Sequence, residues 1–352
     1  MTGSGADVRP GAPPGEHRRP TMRDVARRAG VSLKTVSRVV NAEPGVSTTL
    51  AGRVRTAIDD LGFRPHAGAS NLRRADGKTA TVGLLLQDVG NPFSSALQRA
   101  VEDVAVPRGV MVFSASLDGD PARERELAQA LTARRADGLI IAPTGSDLSY
   151  LEVELRAGTA VVCVDREPVN LAVDAVLTTN VSGSAEGVRH LAGAGHRRIA
   201  FLGDLREIFT AAERFRGYRE GLASAGLPFD PALVVHDLHD AAVADGAATT
   251  LLTRPDPPTA LFAAQNLITI GAIRALRRLR GEDRVALVGF DDFPLADLLR
   301  PGITVVAQDP AAIGRTAAAV LFARLAGDRA PIAVHVVPTT LIRRGSGEIR
   351  PR

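Results

Sequence analysis

The hydrophobic and polar positions divide the chain into a short helical stretch and a long region in which strand-type runs alternate with helical ones. From Thr21 to Leu61, apolar residues recur at helical spacing in three short pieces. From Thr79 onward, near-continuous apolar runs predict strands at Thr81–Leu86, Val110–Ala115, Gly138–Ala142, Ala160–Val164, Ile199–Gly203, Ala260–Ala263, Val285–Phe290 and Thr304–Ala307. Helical periodicity lies between them, at Glu124–Arg135, Ala185–Ala194, Glu213–Ala225 and Gly271–Leu279 among others. Such runs are typical of strands covered by helices on both faces, so the pattern predicts an α/β fold with two doubly wound parallel sheets.

Breaker-rich stretches mark the boundaries between these regions. We expect a disordered leader over 1–20, a helical module over 21–65, a hinge and linker over 66–78, a large core over 79–345 and a tail over 346–352. The chain has 352 residues, of which 45% are apolar and 23% charged, so two domains of ordinary size are expected. No apolar run approaches the roughly 20 residues of a membrane-spanning helix, and no secretory signal is recognised.

The formal charge is unevenly distributed along the chain. Residues 1–78 hold 14 of the 43 Lys and Arg residues and 7 of the 39 Asp and Glu residues, whereas the remainder holds 29 and 32. A basic module on a mildly acidic body is typical of a protein with an anionic partner, most simply nucleic acid. A basic disordered tail is the alternative that composition alone leaves open.

A helix-turn-helix is predicted between Thr21 and Asn41. Thr21 and Asp24 have the spacing of a capping box, which starts a first helix. Gly30 ends that helix because it tolerates a left-handed backbone, and Ser32 caps a second helix two residues later. So short a turn forces the two helices to cross steeply.

The second predicted helix has an apolar face and a polar face. Val36, Val39 and Val40 fall at positions i, i+3 and i+4 and point inward. The outward residues are Leu33, Lys34, Ser37, Arg38 and Asn41. Cationic and amide side chains in such a row suit the base edges of the major groove, and a solvated helix face is the alternative. A third helix closes the small core, with its cap and inward residues at Ser47, Val54, Ile58 and Leu61.

The run from Thr21 to Asn41 (TMRDVARRAGVSLKTVSRVVN), followed by Val46-Ser47 and by the LGFRP motif that ends at Pro65, resembles the headpiece of the LacI/GalR (lactose and galactose repressor) family. The resemblance implies that the second helix enters the major groove of DNA. The residues implied in DNA contact are Thr21, Ser32, Leu33, Lys34, Thr35, Ser37, Arg38, Asn41 and Ser47. The chain departs from the family pattern in two places: Leu50-Ala51 replaces the usual Thr-Arg, and His66 replaces the usual Asn.

The connector also resembles this family. The segment from Ala69 to Arg73 (ASNLR) is similar to the hinge helix, whose leucine is wedged into the minor groove at the operator centre. Leu72 stands in that position, and Ser70 is the accompanying polar contact. A helix of about nine residues is too short to be stable alone, so we expect it to form when two copies pair on DNA.

The resemblance continues over the large body of the chain. Its motifs are Asp88–Phe93 (DVGNPF), Arg135–Ile141 (RADGLII), Gly195–Phe201 (GHRRIAF), Glu213–Tyr218 (ERFRGY) and Val288–Asp292 (VGFDD). They are similar to the periplasmic-binding-protein-like core of these regulators, in which two lobes close on a small ligand. The implied lobes are 79–178 with 309–337 and 179–307 with 338–345.

Polar side chains follow several predicted strands, where open parallel sheets bind ligands. The candidate effector-binding residues are Asp88, Phe93, Asp165, Arg166, Arg214, Gln265, Asp291 and Gln308. Carboxylates and arginines around one cleft suit a polyhydroxy ligand, so the resemblance implies a sugar or sugar derivative. Alternatively, such carboxylates cap helices or pair with arginines. Gln265-Asn266 and Ser94 depart from the family pattern, which usually has Asn-Asp and a second aromatic residue.

Enzyme, cofactor and metal signatures are weak in this sequence. We recognise no GxGxxG fingerprint, P-loop, GxSxG elbow or HExxH motif, and therefore expect no catalytic residue and no cofactor. Cys163 stands alone, which excludes an internal disulfide and a cysteine-based metal cluster, and no metal site is expected.

These observations predict a cytoplasmic, homodimeric transcriptional regulator, most simply a repressor. One headpiece per chain requires two copies for a palindromic operator. The chain shows no heptad helix after Leu341, so a coiled-coil tetramer is not expected. A cytoplasmic sugar-binding or sugar-processing protein with an incidental basic N-terminus is the alternative from another class.

Overall fold

The computed structural model describes residues 20–41, 43–64, 78–145 and 147–352. It divides into two compact units, one ending at Thr79 and the other running from Ala80 to Arg352. Nearly all of the predicted leader and most of the predicted hinge, with Ser70 and Leu72, lie outside the described residues.

The described residues of the first unit form three helices, and the predicted helix-turn-helix is confirmed. They are α1 (Met22–Ala29), α2 (Leu33–Val40) and α3 (Thr48–Leu61). At the start of α1 the Thr21 N–H donates to Asp24 Oδ2 at 2.9 Å, and the Asp24 N–H donates to Thr21 Oγ1 at 3.4 Å. Gly30, at φ +62°, ends α1, and Ser32 accepts the Thr35 N–H at 3.1 Å to start α2.

The core of the first unit contains one fully buried valine from each helix. These are Val25, Val36 and Val54, and Ala57 and Phe63 are buried beside them. Burial of a valine is worth about 1.5–3 kcal/mol, so three interlocked valines fix the rotation of each helix about its axis. That rotation decides which side chains of α2 face outward.

The second unit contains two six-stranded sheets, and the predicted pair of doubly wound sheets is confirmed. The first sheet consists of β1 (Thr81–Leu86), β2 (Met111–Ser116), β3 (Gly138–Ile141), β4 (Ala160–Val164), β5 (Asp174–Thr178) and β11 (Val334–Val337). Its strand order is β11-β5-β4-β3-β1-β2, with every pair parallel. We call the part built on this sheet the N-lobe. Its helices are α4 (Pro92–Ala105), α5 (Pro121–Ala133), α6 (Glu152–Arg156) and α11 (Pro310–Leu325).

The second sheet, in the same unit, forms what we call the C-lobe. Its strands are β6 (Ile199–Leu202), β7 (Val234–Val235), β8 (Ala260–Ala263), β9 (Ala286–Phe290), β10 (Thr304–Ala307) and β12 (Thr340–Ile342). The order is β12-β10-β9-β8-β6-β7, parallel except that β12 runs antiparallel to β10. Its helices are α7 (Asn180–Gly193), α8 (Phe209–Ser224), α9 (Ala241–Leu252) and α10 (Asn266–Arg278).

Helices cover both faces of each sheet. In the N-lobe, α4 and α11 pack on one face and α5 on the other. In the C-lobe, α9 and α10 pack on one face and α7 and α8 on the other. The strands are therefore apolar along their whole length, which is why their sequence runs are continuous rather than alternating.

The chain passes between the lobes after β5, after β10 and after β11. Two of these passages are joined by the threonine side chains that follow β5 and β11. Thr179 Oγ1 lies 2.9 Å from Thr339 Oγ1 and accepts the Thr339 N–H at 2.9 Å. The two lobes are thus tied together at one edge of the space between their strand ends.

The structure adds β5, β7, β11 and β12 to the eight predicted strands. The β5 strand begins with Asp174, an unusual buried residue whose carboxylate receives bonds from Arg324 at 2.7 and 2.9 Å. The β11 strand lies at a sheet edge and alternates exposed with half-buried residues, so its pattern differs from that of a covered strand. The β7 strand has only two residues.

The segment 346–352, predicted as a tail, starts with a short 3₁₀ helix packed on the C-lobe. Ser346 is buried; its hydroxyl donates to the Leu287 carbonyl at 2.6 Å and accepts the Thr304 N–H at 2.9 Å. Further on, the Ile349 carbonyl lies 2.7 Å from His196 Nε2. The small residues and lone polar groups of the segment gave no periodic signal from which this packing could be predicted.

Candidate functional site

The outward face of α2 is the candidate nucleic-acid interface. Because Val36 is fully buried, Leu33 is left 45% exposed and Lys34 is exposed beside it. A cation and an apolar side chain on the first turn of a helix, with the opposite face fixed in a core, are arranged to meet base edges in the major groove.

Two predicted contact residues at the end of α2 are held by the turn that follows. Arg38 donates from Nη2 to the Pro44 carbonyl at 2.6 Å, and its Nε lies 3.7 Å from the Glu43 carboxylate. Asn41 Nδ2 lies 3.4 Å from both Ser37 Oγ and Glu43 Oε1. The Arg38 side chain is 38% exposed, so a base edge can replace these partners without leaving a buried charge unpaired.

The other predicted DNA contacts in the described residues are helix caps or their neighbours. Thr21, Ser32 and Ser47 accept backbone N–H groups at the starts of α1, α2 and α3. The Thr35 hydroxyl lies 2.9 Å from Ser32 Oγ. Capping accounts for these hydroxyls without DNA, and their contact with phosphates stays a prediction.

Some of the basic residues of the first unit stabilise its own fold. Arg53 donates to the Ala29 carbonyl at 2.6 Å and so satisfies the end of α1. Arg28 pairs with Asp60 at 2.7 Å and joins α1 to α3. Lys34 is exposed and forms no ion pair among the described residues, so its charge is available to an external anion.

A cavity of about 390 Å³ lies between the carboxyl ends of the strands of the two lobes. All the predicted effector-binding residues line it: Asp88, Phe93, Asp165, Arg166, Arg214, Gln265, Asp291 and Gln308. The structure therefore brings together side chains from both lobes that are up to 220 positions apart in the sequence. Their role in ligand binding stays a prediction.

Two of the lining aspartates occupy matching positions in the two lobes. Asp165 directly follows β4 and Asp291 directly follows β9, and both have a left-handed backbone, with φ of +64° and +69°. Their N–H groups donate to the neighbouring strands, to Val176 O at 3.0 Å and to Val306 O at 2.9 Å. Aspartate tolerates this conformation better than most residues, and the sharp turn aims each carboxylate into the cleft.

Arg214 is the centre of a buried network in the C-lobe. Its Nε donates to Asn180 Oδ1 at 2.9 Å, and its Nη1 donates to the Ala264 carbonyl at 2.8 Å and to Asp291 Oδ2 at 3.3 Å. The guanidinium carbon lies 3.9 Å from the centre of the Phe290 ring. Only 5% of Arg214 is exposed, so the network holds the guanidinium in one orientation at the cleft wall.

Asp291 is fixed from both sides of its carboxylate. Gln308 Nε2 donates to Oδ1 at 2.6 Å, while Arg214 approaches Oδ2. Burial raises the pKa of Asp291, and the Arg214 charge and the Gln308 hydrogen bond oppose that rise. The carboxylate is an acceptor whose lone pairs are largely used by the protein.

Arg166 is the corresponding buried cation of the N-lobe. Its Nη1 donates to the Pro143 carbonyl at 2.8 Å and its Nη2 to Gln87 Oε1 at 3.3 Å, while its Nε lies 3.7 Å from Asp165 Oδ2. Burial lowers the pKa of Arg166, and the charges of Asp165 and Asp204 oppose that shift. The ion pair with Asp165 that the sequence left as an alternative is thus present, but as a long contact.

The remaining predicted residues have smaller structural roles. Asp88 is exposed and accepts the Gly90 N–H at 2.8 Å. Gln265 Oε1 caps α10 by accepting the Leu267 N–H at 2.8 Å, which leaves its amide N–H₂ for other acceptors. Phe93 lies on the first turn of α4, packs partly on the N-lobe core and offers a ring face at the cavity wall.

Comparison with known proteins agrees with this geometry. Residues 21–66 match the model for "Bacterial regulatory proteins, lacI family", and residues 188–347 match that for "Periplasmic binding protein-like domain". The ribose operon repressor of Escherichia coli (strain K12) is 31% identical over 308 residues, which cover 87% of this chain and 93% of the repressor.

The chain belongs to the LacI family of bacterial regulatory proteins.

Solved structures of this kind share the fold. The transcriptional regulator CelR in complex with cellobiose is 31% identical, with a TM-score of 0.68, covering 93% of this chain and 100% of that one. The lac repressor dimer bound to operator has a TM-score of 0.79 at 23% identity, covering 94% of this chain and 99% of that one, and supports the fold alone. This LacI-family chain is a DNA-binding transcriptional regulator.

Several cleft residues of this LacI-family regulator were missed by sequence reasoning. The polar ones are Gln87, Asn91, Ser94, Asp118, Asp204, Thr210 and His239. Asp204 follows β6 by two residues, so the strand-end rule that selected Asp165 and Asp291 would also have selected it. Burial raises the pKa of Asp204, and the Arg214 and Arg166 charges oppose that rise.

Asn91 and Asn266 form an amide pair between the lobes of this LacI-family core. Asn91 Nδ2 donates to Asn266 Oδ1 at 3.2 Å, and Asn266 Nδ2 donates to Asn91 Oδ1 at 2.9 Å. Each oxygen also accepts an N–H at a helix start, from Phe93 and Leu267 respectively. The pair thus connects the N-termini of α4 and α10 across the cleft.

Neither a membrane-spanning helix nor a metal-binding cluster is present in the described part of this LacI-family chain. Among its helices, none combines the length and the apolar run that crossing a membrane requires. Within the same residues, no three or more His, Cys, Asp and Glu side chains are grouped so as to hold a metal ion.

Proposed function

We propose that this regulator binds a palindromic operator as a homodimer and represses transcription, and that a small hydroxylated effector in the interlobe cleft, most simply a sugar, sets its operator affinity. The observation that carries the proposal is the separation of two candidate sites. A cationic helix face is exposed on one unit, while polar side chains from two lobes converge on a cavity in the other. One site suits a large external polyanion and the other a small enclosed ligand.

The DNA part of the proposal rests on α2. Leu33, Lys34, Ser37 and Arg38 are the proposed base-edge contacts, and the proposed backbone contacts are Thr21, Ser32, Thr35, Asn41 and Ser47. Arginine reads guanine through two parallel hydrogen bonds, and the long Arg38 side chain is only lightly tethered by Glu43 and Pro44. Ser70 and Leu72 are proposed to complete the contact at the operator centre.

Dimer formation is supported by exposed apolar side chains on both lobes. The edge strand β2 exposes Met111 by 61% and Phe113 by 48%, and Val106 nearby is 66% exposed. On the C-lobe, Leu295 and Leu298 are each 64% exposed. Patches of this kind mark interaction surfaces, and the lac repressor neighbour is a dimer on its operator.

The effector part of the proposal rests on the lining of the cleft. Asp165 and Asp291 supply carboxylate acceptors, Gln265 and Arg214 supply donors, and Phe93 supplies a ring face. Sugars present alternating hydroxyl and C–H groups, which match such a set. The CelR neighbour holds cellobiose, and the Escherichia coli relative is a ribose operon repressor.

Coupling between the sites follows from the fact that the cleft is shared by two lobes. A ligand that contacts both lobes favours the arrangement in which they are close, and a population shift of about 1–3 kcal/mol changes operator affinity 5- to 150-fold. The proposal assigns no catalytic step to the cleft, because Asp291 is held by Arg214 and Gln308 rather than placed beside a free proton donor. We place the regulator in the cytoplasm, where bacterial DNA lies.

The test is selection of operators by the full chain from a random duplex pool, followed by affinity measurements against salt. We expect the selected sites to be palindromic and log K to fall linearly with log salt. Cellobiose, ribose and related sugars are then added to the operator complex, and a change in affinity is expected for at least one. Recovery of no preferred sequence, or a salt-independent affinity, contradicts the DNA part.

A further inference from the structure

The charges around the cleft are strongly unbalanced. Its lining contains five carboxylates, from Asp88, Asp118, Asp165, Asp204 and Asp291. The cations of the lining are Arg166 and Arg214, and His239 is exposed and lies 3.3 Å from Asp240. A cleft lined by one sign of charge concentrates ligands of the opposite sign and repels those of the same sign.

Both arginines of the cleft are partly engaged by the protein. Arg214 donates hydrogen bonds from Nε and Nη1 to Asn180, Ala264 and Asp291. Arg166 donates one hydrogen bond from each terminal nitrogen, to Pro143 and to Gln87. The oxygens that hold each guanidinium, among them the Asp291 carboxylate, repel a phosphate or carboxylate ligand that approaches it.

Two of the carboxylates, one from each lobe, are left with few protein donors. Asp204 Oδ1 accepts the Leu205 N–H at 2.8 Å, and the described residues provide no side-chain donor for it. For Asp165, the nearest cation among the described residues is Arg166, at 3.7 Å. Both carboxylates belong to residues that line the cleft.

Buried atoms without a partner indicate what this part of the cleft accepts. Arg166 is 4% exposed, yet its Nε has no hydrogen-bond acceptor. Gln308 Oε1 is likewise buried without a donor. A hydroxyl group both donates and accepts, so it satisfies a carboxylate and an N–H together, whereas a phosphate satisfies only the N–H.

We propose that Asp204, together with Asp165, makes the cleft selective for hydroxylated compounds that are neutral or carry an amine, and rejects their phosphorylated and carboxylated counterparts. This inference rests on the effector cleft of the proposed function and names the chemical class that it takes. Asp204 is the specificity-determining residue, because it adds an unpaired carboxylate from the lobe opposite Asp165.

The test is titration calorimetry of the full chain with matched sets of sugars. D-glucose, D-galactose, D-mannose, D-ribose and cellobiose are the neutral probes, the 2-amino hexoses are the amine probes, and the sugar phosphates and uronates are the anionic probes. We expect any amine derivative of a binding sugar to bind at least as tightly as its parent. The anionic derivative is expected to bind at least about 100-fold more weakly.

The variant Asp204→Asn keeps the shape of the side chain and its acceptor for Leu205 while it removes the charge. It should narrow the affinity gap between the neutral and anionic probes about tenfold, because the anionic probe no longer meets a like charge at this position. Asp103→Asn is the matched control, since Asp103 is 57% exposed on α4 and pairs with Arg99. That control should leave the gap unchanged.

Each outcome separates this inference from the proposed function. An anionic probe that binds as tightly as its neutral parent overturns the selectivity, and an unchanged gap in Asp204→Asn overturns the role of Asp204; both leave the effector cleft standing. If no probe binds although the operator does, the effector part of the proposed function fails, and the selectivity fails with it.

Discussion

The exposed face of α2 and the interlobe cleft are both proposed recognition surfaces, yet their charged groups are held in opposite ways. Lys34 is exposed and Arg38 is tethered only to a surface turn, so both cations are available to a partner on another molecule. Arg214 and Asp291 are 5% and 6% exposed and are bound to each other. The cations of α2 thus have few contacts within the protein, whereas the charged groups of the cleft are held in position by protein contacts before any ligand binds.

This difference predicts how substitutions act on the two regions. Removing an exposed cation removes an interaction with DNA and costs the fold little, because surface ion pairs are worth about 0–1 kcal/mol. Removing one partner of a buried pair leaves the other charge without compensation, so stability and ligand binding fall together. Substitutions on the headpiece surface should therefore reduce DNA binding without reducing the free energy of unfolding, whereas substitutions in the cleft should reduce ligand binding and stability together.

The largest effect is expected for Arg214→Met, which keeps a long side chain but removes the charge beside Asp291. The core should lose about 3–5 kcal/mol of unfolding free energy, and the effector response should disappear. Urea unfolding followed by tyrosine fluorescence measures this loss. Tyr150 and Tyr218 are the only tyrosines, there is no tryptophan, and both tyrosines lie in the core.

The matched control for this variant is the double substitution Arg214→Met with Asp291→Asn. It removes the charge that the first change left unpaired, so at least about half of the lost stability should return. If Arg214→Met alone is as stable as the original chain, the buried ion pair contributes little to stability. The charged groups of the cleft would then behave like those on the headpiece surface.

A smaller effect, confined to DNA binding, is expected for Lys34→Ala and Arg38→Ala. Each should weaken operator binding by about 1–3 kcal/mol for loss of a base contact, with the tyrosine-detected unfolding of the core unchanged. Fluorescence anisotropy with selected operator duplexes measures the affinity. Arg216→Ala, which removes a 60% exposed cation from α8, is the control and should bind normally. Equal affinities for Lys34→Ala and this control contradict the assignment of α2.

The headpiece and the core also differ in what the sequence could predict. In the headpiece, contacts are local: a capping box over four residues and three valines at helical spacing predict both the helices and the outward row of α2. In the core, apolar runs predict covered strands, and polar residues directly after them predict a lining. This reasoning predicted Asp165 and Asp291 as lining residues because the carboxyl ends of parallel strands lie at the same edge of a sheet.

What the sequence could not predict depends on contacts between distant parts of the chain. Asn91 and Asn266 are 175 positions apart, and no pattern within either segment shows that they pair. Asp174 reads as a break in a strand until its ion pair with Arg324, 150 positions away, is known. The packing of Ser346 against β9 and β10 is hidden for the same reason.

An effect of about 1 kcal/mol is expected for Asn91→Ser, which tests the contact between lobes. Serine still caps α4 but is too short to reach Asn266, so the amide pair is lost while the helix start is kept. We expect faster hydrogen exchange in the loop after β1 and a larger radius of gyration by small-angle scattering without effector. Asp120→Ser changes the cap of α5 in the same lobe and should leave both unchanged. Identical scattering for the two variants contradicts a role in closure.

The smallest effect, of opposite sign to the others, is expected for the stability of Asp204→Asn. Burial raises the pKa of Asp204, so the folded state binds this proton more tightly than the unfolded state. Its ionisation then costs stability as pH rises through the folded pKa. Removing the charge should stabilise the core at pH 7 on the order of 1 kcal/mol, and the gain should shrink as pH falls below the ordinary aspartate pKa of about 3.9, where the carboxyl is protonated in both states. Thermal unfolding across this range measures it. A gain that grows at low pH contradicts the sign, whereas the expected result means that Asp204 is kept at the expense of stability, as a group with a binding role would be.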